Sequence, residues 1–528
     1  MDRRRFLKTT AAGAVGALAA GRSVAPAVSQ RTTTRTLRFM PYAGLASMDP
    51  VWSTAYGTRD AAALIWDTLY GLDAGLKPRR QMVESEEPSA DRLTWIFRLR
   101  PGLKFHNGEP VRAADAVASI NRWAARDRTA RMIKDREEEL SVVDDRTFRW
   151  VLTRPFPKML LALGKTGPPC CFIMPASIAA TDPYQEINEY IGSGPMRFVA
   201  GEWAPGTRAA FERFSDYVPR QEPASWLAGG RPMLVDRIEW NAASDPASAA
   251  AALESGEVDW WERVPVDVVS KLRGSARTSV EIRDPLGDVG FLCMNQLARP
   301  FDDLNARRAL LAILSQQDYM RAGTGNDDAL WRPMPAVFPP GTPLYNEEGG
   351  EILKGSRRLD EAKQLLVESG YSGQPVNCLI VQDEPVLRAW GQVTLGLLKR
   401  LDMNVMPAAI DRAGLAARRD QGGWNLCHAV AAGADCVYPT NELLRAGGEV
   451  AANGWADLPD EDADVYFWFD TSTADGERTA ARDLNKAALE NVVCAPIGFF
   501  LSHHAWRKEL SGIVQGPLPF FWGVSKGE

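Results

Sequence analysis

The sequence has little cysteine, no excess of basic charge and no long hydrophobic run after its N-terminus. Seven cysteines in 528 residues are too few for a disulfide-stabilised scaffold. The chain has 61 basic and 67 acidic residues, a formal charge of −6, which argues against a nucleic-acid partner because phosphate binding favours a basic surface. No uninterrupted stretch of about 18 apolar residues is present, so we expect a soluble mature protein.

Catalytic and cofactor motifs are missing as well. The sequence contains no Gly-x-Ser-x-Gly, Ser-x-x-Lys or His-Glu-x-x-His pattern. Residues 164–166 (GKT) resemble the end of a phosphate-binding loop, but Met159 stands where the first glycine is needed. We therefore predict a protein that is not an enzyme and has no cofactor or metal. Acidic residues are nevertheless numerous, and a hydrolase with paired carboxylates stays open as an alternative.

The N-terminus has the pattern of an export signal. Residues 3–8 read Arg-Arg-Arg-Phe-Leu-Lys, a mildly apolar run covers residues 11–20, and Ala25-Pro26-Ala27 resembles a cleavage site. We predict a twin-arginine signal peptide at residues 1–27 and a periplasmic mature protein. Removing those residues leaves 56 basic and 66 acidic residues, a formal charge of −10.

The hydrophobic patterns predict strands and helices mixed along the whole chain. Alternating apolar residues predict strands at residues 36–40, 93–99, 147–152 and 208–214. Helical periodicity predicts helices at residues 113–126, 246–255, 304–320, 359–369 and 385–401, with Gly256 and Gly370 ending two of them. This mixture indicates an α/β or α+β architecture.

Several segments, taken in order, resemble one family. They are residues 66–72 (WDTLYGL), 93–110 (LTWIFRLRPGLKFHNGEP), 192–196 (GSGPM), 251–259 (AALESGEVD) and 294–310 (MNQLARPFDDLNARRAL). Their order and spacing resemble family 5 of the extracytoplasmic solute-binding proteins, the oligopeptide- and dipeptide-binding proteins of ABC importers. The resemblance extends from about residue 36 to the C-terminus.

The resemblance implies an α/β fold of the type II periplasmic-binding-protein kind, with two hinged lobes and an inserted third domain (class C). We place lobe I at residues 30–60, 190–285 and 495–528, the inserted domain at 61–189 and lobe II at 286–494. The implied mechanism is closure of the lobes around a solute, followed by docking on membrane permease subunits of an ABC transporter. The expected form is a monomer that binds no nucleic acid.

The family resemblance also suggests where the ligand binds. Residues 433–440 resemble the segment that carries an aspartate for the α-amino group in peptide binders, and Asp435 is the matching position. The alternative is a loop aspartate that only shapes a turn. Ala432 and Gly433 depart from the peptide-binder pattern, which puts the peptide side-chain pockets in doubt.

Asp435 and Gly433 are candidate ligand-binding residues of this segment, and three further residues are candidates for the cleft. Trp424 is either a stacking platform or part of the core, and Tyr56 lies in a loop that can face the cleft in this family. Asn295 is either a polar group of the cleft or a hydrogen bonder at a strand end. We predict a peptide or peptide-like small solute as the ligand, with an oligosaccharide or an opine-like solute as the alternative.

The cysteines and histidines allow few further predictions. In an oxidising compartment Cys293 could pair with Cys427 or with Cys436, and an odd number of cysteines leaves at least one thiol free. The adjacent His503 and His504 point in opposite directions on a strand, so they are poorly placed to share a metal ion.

Overall fold

The computed structural model describes residues 35–242, 245–412, 414–440, 454 and 459–527. The predicted signal peptide, residues 1–27, lies outside the described residues. The remaining chain forms one compact unit from Arg35 onwards.

The strands of the described chain form three larger sheets and two short hairpin-like pairs. In chain order they are β1 (Thr36–Met40), β2 (Tyr70–Leu72), β3 (Pro78–Arg80), β4 (Val83–Pro88), β5 (Thr94–Leu99), β6 (Glu137–Asp144), β7 (Thr147–Leu152), β8 (Met196–Phe198), β9 (Arg208–Arg213), β10 (Arg237–Asn241), β11 (Trp260–Val264), β12 (Thr278–Ile282), β13 (Asp288–Met294), β14 (Trp331–Arg332), β15 (Val376–Val381), β16 (Val405–Ile410), β17 (Leu426–Ala432), β18 (Ala495–Phe500), β19 (His503–Arg507), β20 (Leu510–Ser511) and β21 (Ser525–Lys526).

The helices pack on the faces of these sheets. They are α1 (Tyr56–Ile65), α2 (Ala113–Arg126), α3 (Arg128–Lys134), α4 (Met159–Gly164), α5 (Ala176–Ala179), α6 (Pro246–Ser255), α7 (Val266–Gly274), α8 (Leu304–Ile313), α9 (Gln316–Thr324), α10 (Leu359–Glu368), α11 (Pro385–Arg400), α12 (Leu415–Asp420), α13 (Pro459–Asp470) and α14 (Ala474–Glu490).

The predicted helix at residues 304–320 is wrong as a single element, because the chain forms α8 and α9 with a break at Leu314 and Ser315. Leu314 has an extended backbone, and the Ser315 side chain accepts a hydrogen bond from the backbone N–H of Asp318. Ser315 is thus an N-cap that starts a new helix. The other predicted helices match α2, α6, α10 and α11, and Gly256 ends α6 with a φ of 89°.

Two large sheets are joined by two chain segments. The seven-stranded sheet has the order β12-β19-β11-β1-β10-β9-β8, and the six-stranded sheet has the order β14-β18-β13-β17-β15-β16. Residues 283–287 connect β12 to β13, and residues 501–502 connect β18 to β19. Strand β18, which the sequence analysis placed in lobe I, therefore pairs within the six-stranded sheet.

A third, four-stranded antiparallel sheet, β4-β5-β7-β6, belongs to the region predicted as the inserted domain. Alternate residues of β5 point into its core, where Phe97 stacks on Trp95 and Phe148 with ring centroids 5.9 and 5.0 Å apart. The same core includes helices α13 and α14, since Phe469 of α13 stacks on Phe156 at 5.6 Å. These two helices thus join the inserted region to the rest of the chain.

A buried ion pair ties the N-terminal segment to helix α2. Arg122 Nη2 lies 2.7 Å from Asp49 Oδ2, and both side chains are at most 1% exposed. Arg122 also donates to the carbonyl oxygen of Gln185, and Asp49 accepts from the backbone N–H of Ile187. The pair therefore holds three distant chain segments together.

We expect Arg122→Met to lower the free energy of unfolding by about 3–5 kcal/mol, because it leaves the Asp49 carboxylate buried without its counter-ion. Urea denaturation of the mature protein measures this loss. The control is Arg79→Met, which removes the ion pair between the exposed Arg79 side chain and Asp73 and should cost at most about 1 kcal/mol. Equal effects of the two substitutions would contradict this account.

Candidate functional site

The candidate site is built where β17 ends beside the segment that joins the two large sheets. After Ala432 the chain forms one 3-10 turn, Gly433–Cys436. Gly433 donates its N–H to the carbonyl oxygen of Gly287 at 2.7 Å, and a Cβ at Gly433 would lie 1.8 Å from the carbonyl oxygen of Leu286. Only glycine allows this close approach. The turn that follows therefore lies beside the segment that joins the two large sheets.

Asp435 is buried at the end of that turn, with 7% of its surface exposed. Its Oδ1 accepts a hydrogen bond from Thr166 Oγ1 at 2.9 Å, and its Oδ2 lies 3.5 Å from Arg59 Nη1. Among the described residues, Oδ2 accepts no hydrogen bond. The carboxylate is therefore held in place through one oxygen, and its other oxygen lacks a close donor.

Arg59 is shared between two carboxylates. Its Nε lies 2.8 Å from Asp60 Oδ1, a shorter contact than the one to Asp435, and its guanidinium carbon lies 4.5 Å from the centre of the Tyr56 ring. The Tyr56 hydroxyl oxygen accepts a hydrogen bond from the backbone N–H of Ala432 at 2.9 Å. Helix α1 thus presents Tyr56 and Arg59 to the end of β17.

The inserted region supplies the remaining wall. Thr166 and Gly167 follow helix α4, and a Cβ at Gly167 would lie 3.3 Å from the Asp435 carboxyl carbon. The neighbouring Lys165 is paired with Asp127 at 2.9 Å, and both of these side chains are 5% exposed. The charge of Lys165 is therefore already paired with that of Asp127. Arg59 is the cation in contact with the Asp435 carboxylate.

The structure brings three of the five predicted site residues together and separates the other two. Asp435, Gly433 and Tyr56 meet at the end of β17. Asn295 and Trp424 lie at the opposite end of the β13–β17 pair, where Asn295 Nδ2 donates to the Trp424 carbonyl oxygen at 2.9 Å. The seven residue pairs of this ladder place the two ends about 20 Å apart.

The surroundings of Trp424 and Asn295 agree with the structural alternatives that the sequence analysis left open. Trp424 is 1% exposed, and its indole N–H donates to the carbonyl oxygen of Arg419. Asn295 Oδ1 accepts from the backbone N–H of Leu297. Trp424 belongs to the core, and Asn295 is a hydrogen bonder at a strand end.

Sequence reasoning missed Arg59, Asp60 and Thr166. The first two lie in a helix whose other residues are mostly apolar, and two adjacent charges buried there are a usable signal. Thr166 belongs to the GKT sequence that fails as a phosphate loop. Its role depends on a contact with a residue 269 positions later in the chain, which no local pattern reveals.

All seven cysteines are buried, and in the part of the chain that the structure describes Cys293 forms a disulfide with neither Cys427 nor Cys436. Cys293 faces Cys427 across the β13–β17 ladder. In the described part of the chain, no group of three or more His, Cys, Asp or Glu side chains is arranged to hold a metal ion. Within the same residues, no helix has the length and hydrophobicity needed to cross a membrane.

Comparison with characterised protein families shows to which family this chain belongs. The model of the bacterial extracellular solute-binding proteins, family 5 Middle, matches residues 77–471. The chain belongs to this family. The solute-binding protein is also 32% identical over 501 residues to a probable peptide ABC transporter periplasmic-binding protein, y4tO, of Sinorhizobium fredii, with 93% of each chain covered.

Solved structures have the same fold as this solute-binding protein. The PBP AgaA of A. tumefaciens R10, in complex with agropinic acid, superposes with a TM-score of 0.79 at 21% identity over 93% of this chain and 99% of that one. A dipeptide-binding protein of Pseudoalteromonas sp. SM9913, in complex with Met-Leu, gives 0.76 at 17% identity over 93% and 100%. The type II periplasmic-binding-protein fold predicted from the sequence is thereby confirmed.

The buried carboxyl of Asp60 should make the stability of the protein depend on pH. Burial raises the pKa of Asp60 to about 7, although the neighbouring Arg59 guanidinium opposes the rise. In the unfolded chain the pKa is about 3.9. Between these values the folded state retains a proton that the unfolded state has lost, so this group makes the free energy of unfolding fall as pH rises from about 4 to 7.

We therefore expect the free energy of unfolding of Asp60→Asn to fall less steeply than that of the wild type as pH rises from about 4 to 7. Urea unfolding of the wild type and the variant at several pH values between 4.5 and 7.5 measures the two slopes. The exposed Asp475→Asn serves as the matched control and should keep the wild-type slope. An unchanged slope in Asp60→Asn would contradict the raised pKa.

Proposed function

We propose that this protein captures a peptide or peptide-like small solute between two hinged lobes and delivers it to an ABC importer. In this proposal the seven-stranded sheet is the centre of lobe I and the six-stranded sheet that of lobe II. The two connections, residues 283–287 and 501–502, are the hinges. A small rotation at two short adjacent segments can open the whole interface, as in other hinged domain closures.

Contacts across the interface support closure at Asp435. Arg59 and Tyr56 approach from lobe I, Thr166 from the inserted domain, and Asp435 from lobe II. A ligand held among these residues contacts both lobes only when they are closed. Binding therefore favours the closed state by the contacts that it adds there.

The single observation that carries the peptide assignment is the Oδ2 atom of Asp435, which is buried and has no hydrogen-bond donor among the residues that the structure describes. A buried carboxylate oxygen strongly favours a charged donor. Arg59 lies 3.5 Å away and makes its shorter contact with Asp60. The α-ammonium group of a peptide supplies up to three N–H donors in a compact group, so it offers the charged donor that this oxygen lacks. The peptide transporter name of the Sinorhizobium fredii relative points to the same ligand class.

We expect wild-type protein to gain thermal stability from short peptides with a free N-terminus and to gain none from their N-acetylated forms. A ligand that binds only the folded state at a hundred times its Kd adds about 2.7 kcal/mol of stability. Asp435→Asn keeps the shape and the Thr166 contact but removes the charge, and it should weaken binding at least about thirtyfold.

The control for this experiment is Asp475→Asn, whose side chain is 91% exposed in the wild type. It should bind peptides as the wild type does. A melting shift with oligosaccharides or opine-like compounds that persists in Asp435→Asn would refute the amine anchor. Turnover of a peptide or glycoside by the pure protein would contradict the binding function itself.

The proposal includes export by the twin-arginine route to the periplasm, where the mature monomer meets the permease. The N-terminal pattern of residues 3–8 supports this route. We expect a double Arg3→Lys/Arg4→Lys change to retain the full-length chain in the cytoplasm, because the arginine pair is the recognised signal. Cell fractionation and immunoblotting measure the distribution. An unchanged periplasmic pool would contradict the route, and Arg22→Lys is the control.

A further inference from the structure

The Arg59 side chain contacts both Asp60 and Asp435, and its geometry divides it unequally between them. Its Nε lies 2.8 Å from Asp60 Oδ1, whereas its Nη1 lies 3.5 Å from Asp435 Oδ2 and 3.5 Å from the carbonyl oxygen of Thr166. The side chains of Arg59 and Asp60 are 3% and 5% exposed, so solvent screens their charges only weakly. One buried guanidinium therefore serves two buried carboxylates.

The other charged groups near Asp60 provide it with little compensation. After Arg59, the charged groups that act on its carboxyl most strongly are Glu262 of β11 and Arg283 of the segment that joins β12 to β13. Arg283 Nη1 donates hydrogen bonds to two backbone carbonyl oxygens of the C-terminal segment, and Asp284 is the acidic group that acts on it most strongly. Glu262 adds negative charge. Asp60 therefore depends on Arg59 for its counter-charge.

The other charges near Asp435 occur in two ion pairs. Lys165 lies 2.9 Å from Asp127, and Arg263 lies 3.0 Å from Asp288. Both pairs are close enough to interact electrostatically with the Asp435 carboxylate, but neither pair has a net charge. The balance at the site is therefore set by one guanidinium and two carboxylates.

This balance changes when a ligand ammonium group reaches Asp435. With both carboxylates ionised, the two negative charges and the single positive charge of Arg59 sum to −1. Burial raises the pKa of Asp60 to about 7, so near neutral pH a proton on Asp60 relieves this excess. A bound ammonium group supplies a second positive charge, and the sum is then zero only if Asp60 is ionised. Binding of the ammonium group therefore favours loss of the proton from Asp60.

We propose that Asp60 is a positioning residue for the ligand: in its ionised form it holds Arg59 and leaves Asp435 Oδ2 to the ligand ammonium group, so that binding releases the Asp60 proton to the solvent. A protonated Asp60, in contrast, leaves the charge of Arg59 available to Asp435. The proposal rests on the proposed function, because it takes Asp435 as the anchor of the ammonium group. It makes the affinity for a cationic ligand rise with pH up to about 7.

Isothermal titration of the mature protein with Ala-Ala and Ala-Ala-Ala at pH 6.5 tests this coupling. Repeating the titration in PIPES and in imidazole, buffers that differ in ionisation enthalpy, measures the number of protons released per ligand bound. We expect the wild type to release about 0.7 proton, since a group with a pKa of about 7 is about three-quarters protonated at this pH. The peptide ammonium group, with a pKa of about 7.7–8.0, contributes only a small uptake of opposite sign.

The pH dependence of the affinity is the second measurement. We expect the wild-type Kd to fall at least about fivefold between pH 5.5 and 6.5, because the ionised form of Asp60 binds the ligand and its population rises over this range. The peptide ammonium group stays charged throughout, so it does not cause this change. N-acetylated peptides, which lack the ammonium group, should not bind.

Asp60→Asn is the matching variant, because it keeps the size of the side chain and removes its charge. We expect its proton release to vanish, its Kd to stay constant between pH 5.5 and 6.5, and its affinity at pH 6.5 to be at least about tenfold lower than that of the wild type. A side chain with only a structural role would leave the proton count unchanged. The exposed Asp475→Asn should keep the wild-type proton release and pH dependence. Thermal unfolding of the unliganded variants checks that they fold.

The outcomes separate the two proposals. Binding without proton release in the wild type, or a release that persists in folded Asp60→Asn, would overturn the role of Asp60 and leave the amine anchor standing. If neither peptide binds the wild type, the proposed function fails and the role of Asp60 fails with it. The wild-type titration needs no variant, so it decides the matter even if Asp60→Asn does not fold.

Discussion

The arrangement of the site depends on one guanidinium that serves two buried carboxylates. Arg59 makes its shorter contact with Asp60 and a 3.5 Å contact with Asp435 across the interface. Burying charged groups costs free energy unless their partners are well placed. Among the described residues, Asp435 therefore has an incomplete set of contacts. A ligand cation that completes this set contributes its contacts only when the lobes meet, which links binding to closure.

The connection between the sheets explains why this carboxylate lies at the interface. The chain passes from β17 into the 3-10 turn beside residues 286 and 287, and the absence of a side chain at Gly433 permits that approach. The turn thus begins beside the segment that joins the two large sheets and ends at Asp435 and Cys436. A rotation of the lobes moves Asp435 relative to Arg59 and Thr166 with little deformation of either sheet.

The sequence was sufficient to predict the local structure and part of the site. The alternating residues of β5 and the glycine-ended helix α6 follow from local patterns, because their physical causes lie within a few residues. The break at Ser315 was missed because apolar periodicity continues through the cap. Asp435, Gly433 and Tyr56 were selected through the family resemblance, and the structure brings them together, while their role toward a ligand stays a prediction. The sequence analysis left Trp424 open between a stacking platform and the core, because residue type alone does not reveal which end of a strand faces the junction between the sheets.

The inserted region has a role in the closed state that the family resemblance did not indicate. It shares a hydrophobic core with α13 and α14 through the stacked pair Phe156 and Phe469, and it supplies Thr166 to Asp435. Opening the lobes would therefore expose apolar surface at one end of the interface and an unpaired carboxylate at the other. The exposure of apolar surface opposes opening whether or not a ligand is present. The unpaired carboxylate, in contrast, is stabilised when a ligand cation binds to it. In the closure mechanism proposed above, ligand selectivity resides in the polar end, and the apolar end sets how much of the protein is closed before the ligand arrives.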